Sequence, residues 1–532
     1  MNKLRLKNIF LCLILAFLYQ TTIVLGQVSP TSAIVRGAIT DEQGGVIVGA
    51  TVVIQNLNTN LTRETTVGET GEYLLTQLPP GNYEIKISAD GFAGQVVKDF
   101  NLELGTDTKL DLQLKLSTTS EIIEITATDS VGAITRNIES STNVSVDRIN
   151  GLPINRRDFL DFTLTTPRVV RDRTPSVGVI AGTGLSFNGQ PGRFNNVTID
   201  GLDNNESITG AVRATFSQEA VQEFQVVSDS FTSEFGRALG GVVNIVTKGG
   251  GNSFHGNLFF LNRNDDTSSR DVFAPNEPRF QQYQFGATLG GPIKKDKIFF
   301  FSSFERLSVK RSNLVTISDD SVKAAASQGF FFRNGAVPVA INNSTGLIRL
   351  DANISPNNLL FVRYNFSGSF DGALEPFGGL IAETNGGTQI LTDSSLAINN
   401  TYINVGLNFI NETRFLYGKR DQNLFANNDG PRVQVLAPEG LILFGRPALL
   451  PQPRLENFYH IINNVTIPRQ KHRIKFGADF IFANPNADKT KVPLFGGGFA
   501  LFQPLNFEAL TGVVGAPTLT GLQALDPSLR TP

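Results

Sequence analysis

The sequence predicts a mainly β protein: an N-terminal β-sandwich, a small α+β unit placed like a plug, then the first part of a transmembrane antiparallel β-barrel. Three observations predict it. Short β-rich runs broken by Gly, Pro and Asp turns recur across residues 33–116. A glycine-punctuated stretch, residues 185–257, mixes short apolar runs with tight bends. From Phe254 onward, apolar and polar residues alternate over whole strand lengths.

Composition narrows the classes. The 532 residues are enough for several domains. Lys and Arg number 46 against 48 Asp and Glu, a net charge of −2 with no long block of one sign, which argues against nucleic acid as a main partner. Glycine is abundant at 51 and Phe at 41 outnumbers Tyr at 8, a balance suited to a turn-rich β protein. Trp is absent, so Phe must supply most of any aromatic girdle.

The N-terminus reads as an export signal, residues 1–26. Lys3, Arg5 and Lys7 precede an apolar run over residues 9–18, and Gly26 is a small residue suited to cleavage before Gln27. Tyr19, Gln20, Thr21 and Thr22 interrupt the run and disfavour a spanning helix. The one cysteine, Cys12, lies inside this signal, so the expected mature chain has no thiol, disulfide or cysteine metal site. No later segment reads as a spanning helix. An exported chain of this kind is soluble or crosses a membrane as strands.

Residues 33–116 form the first expected domain. Its runs include Val35 to Ile39, Ala50 to Ile54, Tyr73 to Leu75 and Tyr83 to Ile87, separated by turns at Gly44-Gly45, Pro79-Pro80-Gly81 and Asp90-Gly91. Residues 117–130 form a polar linker. Within it Glu121, Ile122, Ile123, Glu124, Ile125, Thr126 and Ala127 make a short strand pattern with no partner of its own. The α+β unit is expected over residues 131–248. Residues 160–164 read as a short helix, Val197, Thr198 and Ile199 run into the turn signal Asp200-Gly201, and residues 242–247 read as a buried strand. Gly240 and Gly241 sit before a buried strand where a side chain should crowd the fold, with Gly241→Val costly if the site needs positive φ, and Gly249-Gly250-Gly251 reads as a hinge. Arg168, Arg171 and Arg173 form a basic patch that is a solvated loop or an anion contact.

Residues 254–532 hold the alternating strands. Tyr283, Phe285, Ala287 and Leu289 alternate with Gln282, Gln284, Gly286 and Thr288. Ile403, Val405, Leu407 and Phe409 form a second such set, and Ile474, Phe476, Ala478 and Phe480 a third. Gly290-Gly291-Pro292 and the lysines after it read as a tight turn before Ile298 to Phe301. Residues 265–279 and 421–453 are candidate outer loops. A soluble sandwich has the same period of two, so alternation alone does not decide which face is buried.

Several motifs, in order, carry a resemblance. They are Asn188-Gly189-Gln190, Ile199-Asp200-Gly201, Asp203-Asn204-Asn205, Glu234-Phe235-Gly236-Arg237 and, the strongest, the run from Gly240 and Gly241 through Asn244 to Lys248. Together they resemble the plug of TonB-dependent outer-membrane receptors of the Oar-like branch. Ile149 to Phe159 resembles the early plug motif, and the turn at Gly290 the first barrel hairpin. The family pattern prefers glycine after Pro167, where this chain has Arg168. The first domain resembles a carboxypeptidase regulatory-like domain, a carbohydrate-binding-like fold; the resemblance implies no peptidase activity. The plug motif residues carried over are Asp200, Gly201, Gly236, Arg237, Gly240, Gly241 and Asn244.

The resemblance implies a receptor in the cell outer membrane of a Gram-negative bacterium, embedded in outer-membrane lipid. It would import an extracellular substrate such as a glycan, siderophore or peptide. A TonB-type energy-coupling protein would be its partner, and residues 121–127 sit where a TonB box is expected. The other reading of that segment is the last edge strand of the sandwich. The other reading of the whole is a secreted or surface glycan-binding adhesin.

Enzyme chemistry is not expected. His255, His460 and His472 are far apart, and no nucleophile elbow, phosphate-binding loop or zinc motif occurs. No cofactor is expected. Asp203-Asn204-Asn205 and Asn427-Asn428-Asp429 carry oxygens that suit calcium, but Asn-rich turns are far commoner. A plugged transporter barrel needs about 22 strands, so the residues after Phe254 are expected to supply only part of one.

Overall fold

The computed structural model describes residues 31–117, 122–126, 134–137, 140–151, 159–172, 184–207, 210, 212–229, 234–267, 280–375, 377–469 and 472–485, with short pieces at 499–502, 505–506, 518–521 and 525. The export signal, Glu121, Ala127, Arg173, residues 152–158 of the early plug motif and residues 268–279 of the first candidate loop lie outside these.

Ten strands build the first unit: β1 (Ala33–Thr40), β2 (Thr51–Asn56), β3 (Thr62–Thr66), β4 (Glu72–Leu78), β5 (Gly81–Ser88), β6 (Gly94–Leu102), β7 (Thr106–Lys109), β8 (Leu112–Gln113), β9 (Ile122–Thr126) and β10 (Ile134–Asn137). One sheet runs β4-β1-β7-β10 with β8 also on β1; the other runs β3-β2-β5-β6-β9. Alternation places Val52, Ile54, Tyr83, Ile85, Ile87 and Val97 in the core between them. Residues 121–127 are not partnerless, and the edge-strand reading holds for their described part: Ile122–Thr126 pairs in parallel with β6 at the edge of this sheet, from Gly94↔Ile122 to Lys98↔Thr126. The unpaired N–H and C=O groups at the edge of β6 supply the reason.

The plug unit follows. It holds β11 (Ser140–Ser145), α1 (Val146–Gly151), a 3₁₀ turn at Phe159–Thr165, β12 (Val169–Arg171), β13 (Leu185–Phe187), β14 (Asn196–Ile199), β15 (Leu202–Asp203), β16 (Val221–Asp229) and β17 (Val242–Thr247). Its main sheet runs β11-β16-β17-β14-β15. β17 is buried along its whole length; Val242, Val243, Ile245 and Val246 suit that burial, and the buried Asn244 is satisfied by the Thr198 hydroxyl. Phe162, Phe187, Phe224, Val243 and Ile245 form the core, joined by Phe301 and Leu347 from the barrel wall. Arg168 takes the left-handed conformation, φ 68°, at the position where the family prefers glycine. Arg168 and Arg171 pair with Asp229 and Asp161 at 3.4 and 2.9 Å.

Then come β18 (His255–Asn264), β19 (Gln281–Lys294), β20 (Ile298–Val315), α2 (Asp319–Ser327), β21 (Gly335–Ser355), β22 (Asn358–Glu375), β23 (Gly387–Asn404), β24 (Phe409–Ala426), β25 (Arg432–Ala437), β26 (Gly440–Phe444), β27 (Gln452–Arg469), β28 (His472–Pro485) and β29 (Phe499–Phe502). Nine of them form one antiparallel sheet in the order β18-β19-β20-β21-β22-β23-β24-β27-β28. Its apolar positions point outward and stay exposed: Phe285, Leu289, Ile474, Phe476 and, at 67% exposure, Phe480. Its polar positions, such as Gln284, Arg363, Asn365, Glu412 and Arg414, are buried on the inner side. That polarity is the barrel's and the reverse of a soluble sandwich.

Short turns join the strands at one end, at residues 295–297, 356–357 and 405–408. Long connections lie at the other, and there α2 and the β25–β26 hairpin pack around Ile317, Ala325, Phe377, Val433 and Phe444, with β29 paired to β25. Short turns inward and long loops outward are the outer-membrane arrangement.

Three further expectations are corrected. Val405 and Leu407 lie in the turn between β23 and β24, where Asn404 Oδ1 accepts the Leu407 N–H. Residues 421–453 are not one loop: β24 runs on to Ala426, β27 begins at Gln452, and the β25–β26 hairpin fills the interval. Gly249, Gly250 and Gly251 are a narrow passage rather than a free hinge. A Cβ on them would lie 2.9 Å from the Asp351 carboxylate, 2.4 Å from the Phe300 carbonyl oxygen and 3.1 Å from the Asn58 carbonyl oxygen respectively.

Candidate functional site at the plug–barrel seam

The Asp200-Gly201 signal becomes a two-residue hairpin turn. Both residues have positive φ, 51° and 75°, and Ile199 pairs with Leu202 across it. This is the conformation that an Asp-Gly hairpin turn favours. The turn presents the Asp200 carboxylate, buried, at the barrel wall. Within the plug, Oδ1 accepts the Thr247 backbone N–H at 2.9 Å and Oδ2 the Thr247 hydroxyl at 3.0 Å. From the barrel, Arg363 Nη1 donates to Oδ2 and Arg349 Nη1 lies 3.5 Å from Oδ1. Arg349 also grips Asp351 at 2.7 Å and lies 4.1 Å over the Phe361 ring. Gly201 is required twice over: its φ is left-handed, and a Cβ would meet the Arg414 guanidinium at 3.1 Å.

Higher along the wall, plug Arg213 and barrel Arg420 flank Asp393 at 3.7 and 3.8 Å. Arg420 donates to the Arg213 carbonyl at 2.9 Å, and Arg213 stacks 4.6 Å over Phe458. The Ser207 hydroxyl donates to Glu456. Between the two clusters, the Asp203 N–H donates to His460 Nδ1 at 3.1 Å, which leaves the ring proton on Nε2, facing Asp479 at 2.8 Å. Arg237, at φ 60°, donates to Asp203 Oδ2 at 3.0 Å. The oxygens of Asp203, Asn204 and Asn205 are spent on hydrogen bonds within the plug.

The other plug-motif residues act inside the plug. Asn244 Oδ1 accepts the Thr198 hydroxyl at 2.9 Å, tying β17 to β14. Gly240 and Gly241 stand, as expected, where a side chain would crowd the fold; neither has positive φ. A Cβ would meet Asn195 Oδ1 at 2.4 Å and the Phe187 ring at 2.3 Å. Gly236 has neither constraint, and its carbonyl accepts from Asn196 at 2.7 Å. The structure thus brings Asp200, Gly201 and Arg237 to the seam and leaves Asn244, Gly240 and Gly241 behind it. The barrel half of the site, Arg349, Arg363, Asp393, Arg420 and Glu456, was missed. Its signal was legible: charges two residues apart on otherwise apolar-out strands, as in Arg349/Asp351, Glu412/Arg414 and Arg454/Glu456.

The family model of the outer membrane beta barrel domain matches residues 246–345 and 322–513, about half of the chain. The chain belongs to the outer-membrane β-barrel family. As a member it resides in the outer membrane, its exposed apolar faces turned to lipid. The carboxypeptidase regulatory-like domain matches residues 34–115. The chain is 30% identical over 290 residues to the TonB-dependent transporter Oar of Myxococcus xanthus, covering 51% of this chain and 26% of Oar, so it spans about a quarter of that relative. Among solved structures, the outer-membrane transporter YddB of Escherichia coli is similar at a TM-score of 0.48 and 14% identity, over 65% of this chain and 48% of YddB. The ferric enterobactin receptor PfeA of Pseudomonas aeruginosa follows at 0.46 and 14%, over 66% and 50%.

Proposed function

We propose that this chain is the plug-bearing part of a TonB-dependent receptor that binds an extracellular substrate and imports it across the outer membrane. The reading takes the chain as sandwich over 33–116, linker over 117–130, plug over 131–248 and barrel from 254, with β9 of the linker and β10 at the plug's N-terminal end laid on the sandwich sheets. One observation carries it: a folded unit is held against the polar inner face of a lipid-facing sheet by buried ion pairs, Asp200 with Arg363 above all. A unit that only filled the lumen could do so with apolar packing. Buried charge pairs give a seam that is firm when matched and costly when one partner leaves, which suits two discrete positions. Plug residues Ser207 and Arg213 meet Glu456 and Arg420 toward the long-loop end, where substrate would arrive.

Residues 121–127 are the proposed coupling segment, captured by a TonB-type protein through strand addition. Proline at Ile123 or Ile125 removes a backbone donor. In the full-length gene product these variants should export and insert normally yet lose uptake. Uptake by a deletion strain across siderophore, glycan and peptide nutrients, complemented with each variant, is the measurement. Normal uptake by both proline variants would place the coupling segment elsewhere.

A further inference from the structure

The path from residues 122–126 to the plug is stitched twice to the sandwich. β9 lies in parallel on β6, Ile125 packs against the sandwich core, and Lys98 Nζ reaches Glu124 Oε2 at 2.7 Å. β10 then crosses to the other sheet and pairs antiparallel with β7, from Ile134↔Lys109 to Asn137↔Thr106. Only after these two ladders does the chain enter the plug as β11, on β16.

The sandwich in turn is fastened in place. The Leu104 N–H donates to both carboxylate oxygens of plug Glu223 at 3.1 Å, and plug Asn143 Nδ2 donates to the Leu104 carbonyl at 2.8 Å. At the short-turn end of the barrel, Asn60 Nδ2 and Asn252 Nδ2 both donate to Asp296 Oδ1 at 2.8 Å. The Asn252 N–H donates to the Asn58 carbonyl at 2.8 Å.

We infer that the sandwich is a mechanical gate in series with the plug. A pull on β9 is first borne by β6, then by β7, and reaches the plug only when both ladders have parted. The docked sandwich is what makes this so, because a freely tethered domain would be dragged along without shedding its strands. The inference rests on residues 121–127 being the segment that is pulled.

Force spectroscopy on the full chain in supported bilayers tests it. Ser120→Cys combined with Cys12→Ser gives a single thiol handle. The expected trace shows β9 released first, then β10, then β11, each step lengthening the chain by ~3.5 Å per freed residue. Lys98→Glu sets like charges against Glu124 and should lower the first rupture force and leave the second unchanged. Undocking of the sandwich as one body, or lengthening of the plug before either sandwich ladder parts, overturns the gate. A tip coated with the periplasmic domain of a TonB-type protein tests the underlying reading. Attachment followed by the same ordered steps supports both. Failure of that tip to attach removes the pulled-segment reading, while the thiol handle still decides whether the ladders part in order.

Discussion

The sandwich and the barrel carry the same binary pattern and bury opposite halves of it. On β5, Tyr83, Ile85 and Ile87 turn inward, while Asn82 and Lys86 face water and Glu84 is half-buried. On β24, the inward positions are Glu412, Arg414, Arg420 and Gln422, and Phe415 and Tyr417 lie on the outer side. The apolar-in sheet needs only shape. The polar-in sheet needs partners for each buried charge, and the plug supplies some of them, as at Asp200. So the sandwich core can form by itself, whereas the barrel's inner wall is electrostatically complete only with the plug in place.

That contrast predicts different failures. The largest is expected at Arg363→Ala, which strands Asp200 beside a weaker partner and should cost about 3–5 kcal/mol of plug–barrel stability. Chemical denaturation followed by protease access to the plug measures it, and adding Asp200→Ala should recover much of the loss. A loss no greater than that of an exposed substitution would mean that the seam is not held by charge. Next is the outer face. Phe480→Arg should cost about 2–4 kcal/mol if the position sits near the bilayer midplane, and Phe480→Leu almost nothing, in a vesicle refolding titration. Equal tolerance of Arg and Leu would contradict a lipid-facing β28.

The smallest effect is expected where sandwich and plug meet. Burial pushes the Glu223 carboxyl up to about 8, against the Leu104 hydrogen bond, which lowers it, and with help from the nearby Glu103 charge. The folded form then holds its proton over a range in which the unfolded chain has released it. The stability this buried carboxyl contributes is therefore fully present below the ordinary carboxylate range and is lost as pH rises through about 8. Glu223→Gln should flatten that slope in melting curves between pH 5 and 9. An unchanged slope would assign the dependence to another group.

Much of this was legible in the sequence, for identifiable reasons. Asp200-Gly201 names its own turn type, and the β-branched, mostly apolar run of β17 marks a buried strand. Alternation revealed strands on both sides of the plug, but period two is silent about which face meets solvent, and only the neighbouring layer settles that. Position 405 was misread because alternation continued through the hairpin, although Asn404, Gly406 and Asn408 are turn residues. The sequence left β9 open between a coupling segment and the sandwich's last edge strand, because an edge strand's neighbour is chosen by the edges left open elsewhere. Glu223 gave no local sign at all, since its environment comes from Leu104, in another unit.

The narrow passage at Gly249, Gly250 and Gly251 sets the mechanics of the whole arrangement. It fixes the C-terminal end of the plug between Asp351, Phe300 and Asn58, so this end is the anchor. The N-terminal end enters on β11, the outermost strand of the plug's sheet, next to β16. Work done from that side meets the β11–β16 ladder first and, along the chain, the β12–β13 and β14–β17 ladders before it reaches β17, the strand continuous with the anchor. The plug is therefore built to fray from its first strand inward. Its last strand is the one that a load reaches only after the others have yielded.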